Sequence, residues 1–201
     1  MYRSEGEAVA SKIGGIYRHL EISSEITVDT AFDFVRDDHG VERVLINCAG
    51  VALDQPAVWR DQSSGKIMIH DVPSFERLLQ VNLTGTFYTT IKSNSASVAS
   101  EDGLEGQAAY AASEGGVLAL TRPLARDLVN EGVRIATIMS GRYDTAMFTE
   151  RSEDMTEKVG THKRDPEGLA DPNEFADLVM RIIEDDDING QWVRMNAASK
   201  K

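Results

Sequence analysis

Short apolar runs with the branching of β-strands alternate with helical stretches along this chain, and that order admits few architectures. The clearest strands are RVLIN (residues 43–47) and VRIATIM (residues 133–139); residues 16–22 and 191–195 read as two more. Helical spacing marks residues 4–13, with Ala8, Val9 and Ile13 on one face, and residues 27–38, for which Ser23 and Ser24 are candidate caps. A third helix begins near Pro73 and runs into VNLTGTF, a fourth covers residues 107–130 and a fifth residues 172–184. Gly14 and Gly15 end the first helix, and Gly40 marks a turn. Residues 89–97 read as a strand. Residues 53–71, with Pro56, a Ser-Ser-Gly turn and mixed charges, read as a loop, and the polar residues 149–170 as a mobile loop. Parallel strands joined by helices bury both faces of their sheet. The expectation is therefore an α/β fold, a doubly wound parallel sheet, in a single domain over residues 1–201 without internal repeats, low-complexity tracts or linkers.

Composition narrows the partners. The net charge of −12 repels phosphate backbones, so nucleic acid is not an expected partner, and an anionic coenzyme needs a locally favourable site. No apolar run approaches the roughly 18 residues that span a bilayer. The opening MYRSEGEAVASKI lacks the apolar core of a signal peptide and carries acids too early for a transit peptide, so a soluble, intracellular, cytoplasmic protein is expected. Cys48, the only cysteine, cannot form an internal disulfide and reads as a small buried residue. His19, His39, His70 and His162 are scattered without ligand spacing, so no metal site is expected.

The most informative stretch is SASVASEDGLEGQAAYAASEGGVLALTRPLARDL, residues 95–128. A strand ending at Ser97, followed by a loop, sets Tyr110 in the first turn of the long helix. Taken singly, Ser97 is a loop serine and Tyr110 a capping or core residue. Their joint spacing resembles the short-chain dehydrogenase/reductase family, which has a serine at a strand end and Tyr-x-x-x-Lys at the start of the next helix. Other segments agree in order. RVLINCAG is similar to the family's Asn-Asn-Ala-Gly strand end, with Cys48, Ala49 and Gly50 after Asn47. VNLTGTF resembles the helix that carries a structural and proton-relay asparagine, here Asn82. RIATIMSGRYDTAMF resembles the strand and Pro-Gly loop at the nicotinamide end, with Ser140 in place of proline and Tyr143 and Thr145 as cofactor neighbours. Glu21, followed by Ile22, matches the acid beside the adenine. The wording is closest to the type 2 3-hydroxyacyl-CoA dehydrogenases, also described as type 10 17β-hydroxysteroid dehydrogenases.

The resemblance implies NAD as cofactor and oxidation of a secondary alcohol, such as a 3-hydroxyacyl-CoA or a hydroxysteroid. Tyr110 takes the hydroxyl proton, Ser97 orients the substrate oxygen and Asn82 serves the relay. Read from the residues alone, Asn47 and Asn82 suit backbone bracing at strand ends and helix bends as well. The resemblance also implies a dimer or tetramer, and the mitochondrial matrix as a second possible compartment. The small residues Ala108, Ala109, Ala112, Gly115 and Gly116 suit close helix packing.

Three departures qualify that reading. The chain opens at a helix, so the Rossmann-like sheet is expected to be incomplete, lacking the first strand–helix–strand unit and its Gly-rich turn. The helix after Asn82 passes almost directly into the next strand, which shortens the family's subunit-pairing helix. Glu114 stands where the family has lysine, one turn from Tyr110, and Lys92 and Arg122 lack the phase to replace it. A carboxylate there disfavours a phenolate. NAD-dependent oxidation is therefore expected to be impaired. The alternative is a non-catalytic relative, or a partial product, acting through association with a full-length homologue.

Overall fold

The computed structural model describes residues 3–53, 55–93, 107–140, 143 and 170–195, and the backbone of 96–98. The elements are α1 (Arg3–Ile13), α2 (Glu25–His39), β1 (Val44–Ile46), β2 (Val58–Arg60), β3 (Ile67–Ile69), α3 (Val72–Leu79), α4 (Thr86–Lys92), β4 (Ala96–Val98), α5 (Ala108–Asp127), β5 (Ala136–Met139), α6 (Pro172–Glu184) and β6 (Gln191–Arg194). A π-helical turn, Gln80–Gly85, joins α3 to α4, so one helical run extends from Val72 to Lys92. β1 pairs in parallel with β4, Val44 opposite Ala96, and β5 pairs in parallel with β6, Ala136 opposite Gln191. β4 lies beside β5 with no ladder between them among the described residues, so the parallel pairs β1–β4 and β5–β6 stand side by side. The fold is α/β with helices packed on a parallel sheet, as the alternation of elements requires.

The core gathers around β5, whose side chains alternate between two helices. Ala136 and Ile138 meet Val179 and Ile182 of α6; Ile135, just ahead of β5, meets Ala125 of α5. Between these layers the Thr137 hydroxyl shares a 2.7 Å hydrogen bond with that of Thr121, both buried. Two caps fix α6 in place. The Asp171 carboxylate accepts from the Asn173 N–H, with Pro172 in the first turn. At the other end the Arg134 guanidinium donates to the carbonyls of Ile182, Ile183, Asp185 and Ile188 at 2.9–3.0 Å, supplying donors that the last helical turn lacks.

Glycine permits two close approaches between elements. A Cβ on Gly85 would lie 2.8 Å from Ile22 Cγ1 and 2.9 Å from the Ile22 carbonyl, and one on Gly116 would lie 2.7 Å from Leu83. These contacts press the π-turn against residue 22 on one side and α5 on the other.

Several expectations are corrected. Residues 16–22 are not a strand; the segment lies outside every helix and ladder, because no neighbouring strand among the described residues lies along it. Helix α1 forms where expected but buries Gly6 and Ala10, leaving Val9 49% and Ile13 73% exposed. The Tyr17 ring lies against Gly6 and sets that choice of face. Residues 53–71 contain an antiparallel hairpin, β2 with β3, in the register Val58 opposite Ile69. The Asp61 carboxylate ties its turn by accepting from Ser63 Oγ, Ser64 N and Ser64 Oγ. Residues 89–92 stay helical; Thr89 Oγ1 donates to the carbonyls of Gly85 and Thr86, which makes a β-branched residue compatible with the helix. Cys48 is exposed, not buried. Residues 149–169 lie outside the described residues.

Candidate functional site

Strand β1 ends at Ile46, and the next five residues run out over the helical stretch from Val72 to Lys92. Two asparagines hold them there. Asn47 accepts from Thr89 Oγ1 at 2.7 Å and donates to Thr90 Oγ1 at 3.3 Å. Asn82, in the π-turn and 5% exposed, accepts from the Val51 N–H at 2.8 Å and donates to the Val51 carbonyl at 2.9 Å. A Cβ on Gly50 would lie 3.4 Å from Asn82 Oδ1, an ordinary contact distance that places Gly50 against this clamp. A π-turn widens the helix by one residue and is a recurrent device for aiming a side chain.

Asn82 Nδ2 also lies 3.3 Å from Ser113 Oγ, which in turn donates to the Tyr110 carbonyl at 2.7 Å. Asn82 thus couples the β1 strand end to the first turn of α5. Tyr110 occupies that turn and is half-buried. Glu114 follows one turn later and is 6% exposed. Ser113 was not anticipated, although its position three residues after Tyr110 suits back-bonding to a helix carbonyl. The threonine pair beneath Asn47 was likewise not anticipated.

Ser97 is the middle residue of β4, opposite Leu45, and its backbone alone is described. Thr145 lies outside the described residues. Cys48 and Ala49 are exposed beyond β1, and Gly50 is half-buried. Protein surrounding the Cys48 sulfur still pushes its thiol above the ordinary range. The Glu21 carboxylate accepts from Ser23 Oγ at 2.6 Å and from its N–H at 3.3 Å, and these bonds hold it below the usual range and therefore ionised near neutrality. Ile22 is buried beneath Gly85. Tyr143 is buried with its ring edge-on to Phe175 of α6, and its hydroxyl donates to Met195 Sδ at 3.3 Å.

The basic side chains nearest Tyr110 in sequence are engaged elsewhere. Lys92 Nζ pairs with Asp29 at 2.7 Å, and the Arg122 guanidinium lies 4.8 Å from the centre of the Trp192 ring. Trp192 in turn donates to the Leu118 carbonyl, one turn ahead of Pro123, so it packs on α5. Among the described residues, no group of three or more His, Cys, Asp or Glu side chains converges as a metal site would, and no helix is long and apolar enough to cross a membrane.

Comparison with known proteins places the chain in one family. The chain belongs to the short-chain dehydrogenase family, whose profile, described as short chain dehydrogenase, matches residues 2–156. It is 34% identical over 216 aligned positions to the human 3-hydroxyacyl-CoA dehydrogenase type-2, covering 97% of this chain and 81% of that protein. The rat protein of the same name is 33% identical with the same coverage. Among solved structures, 3-hydroxyacyl-CoA dehydrogenase type-2 from Mycobacterium avium superposes with a TM-score of 0.81 at 26% identity, covering 98% of this chain and 83% of that one.

A nicotinamide dinucleotide fits the residues present only in part. Cys48 and Ala49, which the resemblance assigns to the cofactor, are exposed beyond β1. Against the fit stands the carboxyl group of buried Glu114, where the family resemblance implies an ammonium.

Proposed function

We propose that this chain is by descent an NAD-dependent oxidoreductase of secondary alcohols, such as a 3-hydroxyacyl-CoA or a hydroxysteroid, and that Glu114 slows its own turnover. The relatives' names support the substrate class. The observation that carries the reading is the stacking of Tyr110 and buried Glu114 on successive turns of α5. Oxidising an alcohol requires a base for the hydroxyl proton. Tyr110 is the residue assigned that proton, and Ser97 the hydroxyl that orients the substrate oxygen. A unit charge a few ångström away shifts a phenol by roughly 1–4 kcal/mol, depending on dielectric. Loss of the favourable charge alone therefore removes on the order of one to three powers of ten in rate.

Two measurements test this. Calorimetry with NAD and NADH at millimolar concentration is expected to show weak binding, followed by slow turnover of short 3-hydroxyacyl-CoA esters. In parallel, the ultraviolet titration of Tyr110, obtained by difference against Tyr110→Phe, is expected to move to lower pH in Glu114→Lys. An unchanged titration removes the charge argument. Wild-type turnover in the ordinary range of about 1–1,000 per second removes the proposed impairment.

A second reading follows from the same residues. With the carboxyl group of buried Glu114 one turn from Tyr110, the chain serves as a non-catalytic member that associates with another member of its family. No cofactor binding by a cooperatively melting protein, together with co-purification of an intact relative, selects it.

A further inference from the structure

Residues 15–21 run outside every helix and ladder past α1, and the two enclose an open groove of about 680 Å³. Ala10 and Ser11 of α1 form one wall; Tyr17, Arg18 and His19 form the other. Among the described residues, the backbone N–H and C=O groups of residues 16–20 take part in no backbone hydrogen bond. A segment of unpaired backbone facing a helix across a groove is the arrangement that accepts an additional strand.

The groove also carries charge against the sign of the molecule. In a chain of net charge −12, its charged lining is Arg3 and Arg18 against one acid, Glu7, which pairs with Arg3 at 2.8 Å and leaves Arg18 to set the sign. The Arg18 guanidinium is stacked on the Phe34 ring, 3.4 Å from its centre. Stacking orients its plane and leaves its N–H donors at the edge, suited to a carboxylate. We propose that this groove binds an extended peptide segment bearing acidic side chains. Its backbone pairs with residues 16–20, and one of its carboxylates meets Arg18. The docked segment pairs with backbone that has no backbone partner among the described residues, and charge selects acidic over basic sequences.

The test uses the full chain and a dye-labelled hexapeptide of alternating valine and glutamate, with a valine–lysine counterpart as control. Fluorescence anisotropy at low salt is expected to show saturable binding of the acidic peptide, at least 10-fold tighter than the basic one. Arg18→Glu is expected to weaken it at least 10-fold. Leu20→Pro, which removes a backbone N–H of the segment and leaves every side chain that lines the groove in place, is expected to weaken it comparably while the thermal melt is retained. Arg3→Gln provides a second charge variant if Arg18→Glu melts early. Equal affinity for the two peptides, or no saturation by about 1 mM, overturns the proposal. So does a concentration-dependent dimer abolished by Arg18→Glu, which assigns the groove to a second copy of the chain.

Discussion

Replacing Asn82 by alanine removes three hydrogen bonds at once: from the Val51 N–H, to the Val51 carbonyl and to Ser113 Oγ. Each is worth about 1 kcal/mol net. Val51 is 37% exposed, so its backbone groups recover water when the amide is gone. Ser113 is fully buried but keeps its bond to the Tyr110 carbonyl. The expected cost is therefore about 2–3 kcal/mol, without the further penalty of an orphaned polar group. For a chain of this size that corresponds to a melting temperature lower by roughly 5–10 °C. Asn82→Asp sharpens the argument. An ionised carboxylate accepts from the Val51 N–H but faces the Val51 carbonyl, whereas the protonated acid regains a donor. Its folded pKa is thus raised above the unfolded value of about 3.9. The penalty is absent below the unfolded pKa and develops as pH rises from there through the folded pKa. Urea unfolding at pH 4 and pH 7 is expected to place Asn82→Asp nearer the wild type at pH 4. A cost below about 1 kcal/mol for Asn82→Ala, or equal destabilisation of Asn82→Asp at both pH values, refutes the clamp.

Two further outcomes are expected. Thr121→Val orphans the buried Thr137 hydroxyl and should cost about 1–2 kcal/mol, while adding Thr137→Val should recover most of it, since replacing both partners by apolar groups is nearly neutral; a double-mutant cycle by thermal melting checks this. Asp61 is held down to about 2 by Ser63 and Ser64, so its tie on the β2–β3 turn is fully present above the usual carboxylate range and is lost as pH falls through about 2. Amide exchange of the hairpin should quicken across that acid window in the wild type and show no such step in Asp61→Asn.

The class of fold was legible because it follows from local period and chain order. Strand β5, helices α2, α5 and α6 and the helical run through Asn82 all lie where their patterns place them, since each has a buried face long enough to register in sequence. The position of Tyr110 in the first turn of α5 followed from the same reasoning. The hairpin around Asp61 read as a loop because its two three-residue strands sit among Pro56, a Ser-Ser-Gly turn and mixed charges, whereas the equally short β1 showed in the continuous apolar run of RVLIN. Residues 16–22 failed for a different reason. They have the composition of a strand, but a strand exists only when another chain segment offers its edge, and sequence composition does not supply that partner.

What the sequence determined by itself is the alternation that sets an α/β sheet, the helix limits marked by Pro172 and Gly40, and the candidate residues in their order along the chain. The tertiary structure decided which of those residues meet. It joined Asn82 to Val51 and Ser113, placed buried Glu114 on the turn after Tyr110, gave the Tyr143 hydroxyl to Met195 and turned Val9 and Ile13 of α1 outward. The physical reason is range. Capping and period act over a few residues, whereas the partners of a buried amide, a phenol or an open backbone edge are fixed only when distant segments pack together.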